Sequence, residues 1–238
     1  MAPLGSKAVA ALLGCAKQLR LEPSLQFKAL SIFADSYLPA VGSKLVSIEP
    51  SVLEPAEWQL LLSAVACLLL LVHQDSGQLV QPGKTDQHLV RIYRAAGVVL
   101  GPEFEQRFSS NDLVQMEAIV AQAVGPVEPR RNTITFLKEY FQQIQQAGIK
   151  AFNSIEIDVC YVILELLYID GAGQFKGTID RGGKLMAAAL ITAAFAIAAP
   201  PAEVKASLPF LAWLSELSGF PKEVIKSQAA SILQHVMP

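Results

Sequence analysis

Apolar residues recur every three or four positions along most of this chain, and no run alternates residue by residue between hairpin turns. That period predicts helices and no sheet. Lys7 to Leu21 forms the first. Ser24 to Leu38 forms the second, with Glu22-Pro23 as its start signal and Pro39 as its stop. Phe27, Leu30, Phe33 or Ala34, and Tyr37 fall on one face of it and are expected to meet a core. Pro55, at a first helical turn, opens a long apolar helix to about Gln74. Thr85 to Ala96 follows the Gln81-Pro82-Gly83 turn, and Ser110 or Asn111 is the expected cap of a helix that carries Glu117 and ends at Gly125-Pro126.

The second half repeats this order. Thr133 to Ala147 is closed by Gly148, and Asn153 caps a helix running to about Asp170. A loop from Gly171 to Gly183 leads into the Ala/Leu-rich helix Leu185 to Ala199. Leu208 to Leu217 ends at Gly219, and Pro221 opens a last helix with Ile225, Ala229, Ile232 and Val236 in one stripe. Each half thus has five helices, the third being the most apolar. A helix that is hydrophobic all round is buried when others surround it. The pattern predicts an all-α chain of two tandem five-helix bundles, residues 1–127 and 128–238. The period is far too long for a solenoid unit.

Two apolar stretches, Leu60 to Val72 and Leu185 to Ala199, raise the question of a membrane. Both fall short of the roughly 20 residues a spanning helix needs, so core helices are expected. The N-terminal run around Ala8 to Leu13 is short and leads into Lys17 and Arg20, as an amphipathic helix does and a secretory signal does not. With 52% hydrophobic and 17% charged residues, the chain has ample material for a core. A net charge of −2 without a basic cluster disfavours binding through nucleic-acid phosphates. Cys15, Cys67 and Cys160 lie far apart in apolar patterns and read as buried free thiols. His73, Asp75 and His88 flank a Gly/Pro stretch without ligand spacing, so no metal site is expected. Gly182-Gly183-Lys184 lacks the ending of a phosphate loop, and Arg130-Arg131 reads as a solvated turn. No catalytic constellation or cofactor motif is present in the sequence, and no small-molecule substrate is expected.

Several strings resemble the cyclin family. Phe27 to Phe33 followed by Tyr37-Leu38 is similar to the second cyclin helix, and Ser63 to Leu69 to the small-residue third. Met116-Glu117 with Val120 and Val124 is similar to the fifth, and Phe136 to Phe141 to the opening of the second box. Glu165 to Tyr168, Lys184-Leu185 with Ala187-Ala188, Leu208 to Trp213 and Ile232 to Val236 extend the likeness through the C-terminal half. The nearest likeness is to the small plant J-type cyclins, which hold little beyond two cyclin boxes.

The resemblance implies a non-catalytic regulatory subunit that binds and activates a cyclin-dependent serine/threonine protein kinase in cell-cycle control. Such a protein acts in the nucleus or cytoplasm, neither secreted nor in a membrane. Its other implication is a cyclin-fold interaction scaffold without kinase activation. The kinase interface implied for this chain comprises Glu117, Val72, His73 and Ala121. Glu117 matches the family's Glu on the fifth helix and falls on the inward stripe with Leu113 and Val124. Its carboxylate either accepts from a docking partner's backbone N–H groups or reaches solvent at the rim. Val72 stands where the family has Lys. His73 can donate a hydrogen bond but reads as a surface residue at a helix end, ordinarily neutral near pH 7. The apolar residues that follow the Glu in the family are reduced to Ala121 and Pro126, and the family's docking string on the first helix is absent from Lys7 to Leu13.

Overall fold

The structure, a computed structural model, describes residues 4–45, 53–76, 86–125, 132–147, 156–169, 183–198 and 208–237. All regular structure among them is helical. The chain divides into two compact units, Met1–Glu128 and Pro129–Pro238.

The first unit holds α1 (Leu4–Gln18), α2 (Pro23–Ser31), a π-helical turn at Ile32–Tyr37, α3 (Leu38–Leu45), α4 (Leu53–Ser76), α5 (Gln87–Leu100), α6 (Pro102–Arg107) and α7 (Ser110–Val124). α4 is its centre and packs against α1, α2, α5 and α7. Every residue from Leu60 to Leu71 is buried. The apolar stretch is longer than the sequence suggested: Ala56–Asp75 has the length and composition to cross a membrane, and 72% of its apolar 18-residue span is buried inside the unit.

Pro39 does not stop the second helix. A proline lacks the N–H a regular helix needs and its ring collides with the carbonyl four residues back. The turn just before it is wound wider, with the Leu38 N–H donating to the Phe33 carbonyl, five residues back. A π-bulge of this kind absorbs the break, and the helix continues to Leu45 with Pro39 in its first turn, where no N–H is required. The expected face of this helix is buried at Phe27, Leu30, Phe33 and Tyr37.

The cap of α7 is Ser109, one residue earlier than expected. Its side chain accepts from the Asp112 N–H while Asp112 accepts from the Ser109 N–H, a reciprocal capping box. Before it lies α6, which the sequence pattern did not announce. Phe104 anchors α6 among Tyr93 and Phe108, and Arg107 lies over the Trp58 ring at 5.0 Å. The Tyr93 hydroxyl donates to the Phe108 carbonyl at 2.7 Å and so holds the entry to α7 against α5.

The second unit holds α8 (Thr133–Gln146), α9 (Ile157–Ile169), α10 (Lys184–Ala198), α11 (Leu208–Ser218) and α12 (Lys222–Val236). α10 is its centre, packing against α8, α9, α11 and α12. Gly183 opens α10 at φ 75°, and a Cβ there would lie 2.6 Å from the Thr133 nitrogen. Only glycine lets the start of α10 sit against the start of α8. On α12, Ile225, Ala229 and Ile232 are buried and Val236 is half-buried. The caps expected at Gly148 and Asn153, the Gly171 to Gly182 loop, the Gln81-Pro82-Gly83 turn and Arg130-Arg131 lie outside the described residues.

All three cysteines are buried and free. Burial pushes the Cys15 and Cys160 thiols up to about 12, and that of Cys67 up as well, which makes each inert at neutral pH.

Candidate functional site

Three side chains meet where the last turn of α4 approaches the start of α5 and the middle of α7. Each is brought there by its own helix. α4 carries its apolar pattern up to Leu71 and presents His73 just beyond it. Asp86 caps α5, its Oδ1 accepting from the His88 N–H at 2.9 Å. The Ser109 box fixes the first turn of α7, and Leu113, Met116 and Val120 bury the inner face of that helix, which sets Glu117 at the edge of the buried stripe.

The His73 ring bridges the two acids. Its Nδ1 lies 2.7 Å from Glu117 Oε1, and its Nε2 lies 2.7 Å from Asp86 Oδ2. All three side chains are largely shielded, at 12% exposure for His73, 14% for Asp86 and 15% for Glu117. Burial is the largest single influence on the His73 pKa and pulls it down. The hydrogen bonds to Glu117 and Asp86, with their charges, together outweigh it, and the net movement is upward from 6.5. For Asp86, burial pushes upward, but the bond from His73 and the backbone N–H groups of Leu89 and His88 outweigh it and hold the carboxyl below 3.8.

His73 is therefore not the surface residue the sequence suggested. A helix-end histidine reads as solvated because no local pattern reveals an acid 13 residues on or another 44 residues on. Glu117 takes neither of the two expected fates in full, since one of its oxygens accepts from His73 inside the chain. Val72 is half-buried and lines a pocket of about 190 Å³ with Leu19, Leu21, Leu25 and Ile92, while Asp75, His88 and Arg91 supply its polar edge. The position where an ammonium was looked for is thus part of an apolar wall. Ala121 is half-buried one turn beyond Glu117. Around these residues α7 exposes Val114 (42%) and Ile119 (51%) beside the polar Gln115 and Gln122.

Asp86 was missed by sequence reasoning. Its signal was present: an Asp directly before a helical period is an N-cap type. The second role of its carboxylate follows only from the tertiary approach of α4. The arrangement suits a proton and not a metal ion. Two acids flank opposite nitrogens of one ring, instead of three donors converging on a point. Among the described residues, no group of three His, Cys, Asp or Glu side chains is placed to hold a metal.

No family model matches the chain, and no solved structure matches it. A curated protein of rice (Oryza sativa subsp. japonica) described as cyclin-J18-like is 26% identical to it over 95% of this chain and 84% of its own length. Along nearly its whole length, then, the chain is related to a plant J-type cyclin, as the short strings in both halves implied.

Proposed function

We propose that this protein is a non-catalytic regulatory subunit of the cyclin type, built of two cyclin boxes, that binds and activates a cyclin-dependent protein kinase in the nucleus or cytoplasm. The observation that carries this reading is the placement of Glu117. It sits on α7 at the edge of the buried stripe, bonded to His73 through one oxygen, with the exposed apolar Val114 and Ile119 on the same helix. A carboxylate accepts up to four hydrogen bonds, so the bond from His73 leaves capacity for backbone N–H groups of a docking kinase. Activation in this reading is a shift of population: the regulatory subunit binds the active arrangement of the kinase better than the inactive one.

Co-expression with cyclin-dependent kinases, recovery in mild salt and a histone kinase assay test this function. The kinase is expected to co-purify and to be stimulated. Glu117→Ala is expected to weaken association by about tenfold, or about 1.4 kcal/mol, with folding retained. Failure of any kinase to co-purify contradicts the reading.

One observation favours a second reading, a cyclin-fold scaffold that binds without activating. Val72 replaces a fixed cation with an apolar pocket wall. Stable co-purification without stimulation of histone phosphorylation would select it.

A further inference from the structure

A neutral imidazole has one N–H and one lone pair. Ionised carboxylates only accept. With both ring nitrogens of His73 at 2.7 Å from carboxylate oxygens, a neutral ring would set its lone pair against an acid oxygen at one end. The geometry needs one more proton, and the ring is the stronger base of the three groups. The imidazolium then donates at both ends, one to the cap of α5 and one to α7.

We propose that Asp86 and His73 are positioning residues for Glu117, a clasp that is closed only while His73 carries both ring protons and that opens when one is lost. The regulatory part of this inference rests on the proposed docking role of Glu117. In the closed state a cation compensates two shielded carboxylates, and a partner that covers them meets a corner of net charge −1. In the open state the partner must desolvate two uncompensated acids, or find Glu117 swung out of place. Kinase association is therefore tighter when the clasp is protonated.

Among the described residues, other titratable and charged groups stand near the clasp on α4 and α5. From α5, the His88 ring stands edge-on to His73 with centroids 6.5 Å apart, and Arg91 lies along the wall of the neighbouring pocket. From α4 itself, Asp75 is two residues further on. The turn between α1 and α2 presents Leu19 and Leu21 to that pocket, and α2 presents Leu25, all of them apolar. From α7, Glu117 reaches the ring at 2.7 Å.

The test measures the affinity of the co-purifying kinase for the wild type, His73→Gln and Asp86→Asn between pH 5.5 and 8.5, with circular dichroism as a check of folding. Asn is itself a good N-cap, so Asp86→Asn keeps α5 started. Wild-type affinity is expected to fall as pH rises past the His73 midpoint, by at most about tenfold per pH unit. His73→Gln is expected to bind weakly with a flat profile, and Asp86→Asn to shift the fall to lower pH. Wild-type binding that is strong and flat across the range overturns the clasp. If no kinase binds at any pH, the docking role fails instead. The clasp is then judged on the chain alone by NMR, where the Glu117 carboxyl carbon is expected to move with the His73 midpoint, and independent titration overturns it.

Discussion

The two central helices, α4 and α10, solve the same burial problem and finish differently. α10 is buried without a break from Leu185 to Ile191, and Thr192 turns its hydroxyl back to the Ala188 carbonyl at 2.8 Å. Its last turn, Ala196 to Ala198, is exposed and holds no ionisable group. α4 is buried as completely from Leu60 to Leu71 but carries polar work at two points. Ser63, 1% exposed, has its Oγ 2.9 Å from the Tyr37 oxygen, 2.7 Å from the Gln59 carbonyl and 3.3 Å from the Met116 sulfur. Two residues after its last leucine, His73 joins two acids. Burial alone holds a helix in place, as α10 shows. A shielded charge needs partners, and α4 keeps one only where α5 and α7 both supply them.

If the apolar cores are equivalent, equal truncations should cost equally. Leu68→Ala in α4 and Leu190→Ala in α10 are each expected to destabilise their unit by about 3 kcal/mol in denaturant titrations. A small loss at one of them would show that its core relaxes around the cavity. Gly183→Ala acts on the second unit alone. The new methyl meets the Thr133 backbone and the residue is held at positive φ, so a loss of about 2 kcal/mol is expected.

His73→Gln acts on the first unit and depends on pH. The folded pKa of His73 is raised, so its contribution is full below the unfolded value of 6.5 and is lost as pH rises through the folded value. The folded pKa of Asp86 is lowered, so its contribution is present above 3.8 and is lost as pH falls through its folded value. The clasp therefore stabilises most between these limits. At pH 5.5 the substitution is expected to cost about 1.5 kcal/mol, and near pH 9 almost nothing. A loss that is the same at both values would contradict a charged bridge. The smallest effect belongs to Ser63→Ala, about 1 kcal/mol, because it removes the partner of the Tyr37 hydroxyl without creating a charge.

The helices were legible in the sequence because a period near 3.6 survives wherever one face is buried. Phe27, Leu30, Phe33 and Tyr37 could be placed on a core face from spacing alone. Pro39 could not be read in the same way, since whether a proline ends a helix depends on the winding of the turn before it. The Ser109 cap was within reach, because Ser followed three residues later by Asp is a capping signature, yet its neighbours Ser110 and Asn111 compete on residue type. The site was half legible. Glu117 stood out by its place on an otherwise apolar stripe, and Val72 by what it lacked. His73 and Asp86 carry no sign of each other, because 13 residues of chain and a change of helix separate them. A proton shared across that gap is a property of packing.

Nitrogen NMR of the His73 ring tests the charged corner most directly. At pH 6.5, the ordinary histidine midpoint, the account predicts that most molecules carry protons on both Nδ1 and Nε2, with the midpoint falling toward 6.5 in Glu117→Gln. A ring that is mostly a single neutral tautomer at that pH, unmoved by the Glu117 substitution, would contradict it.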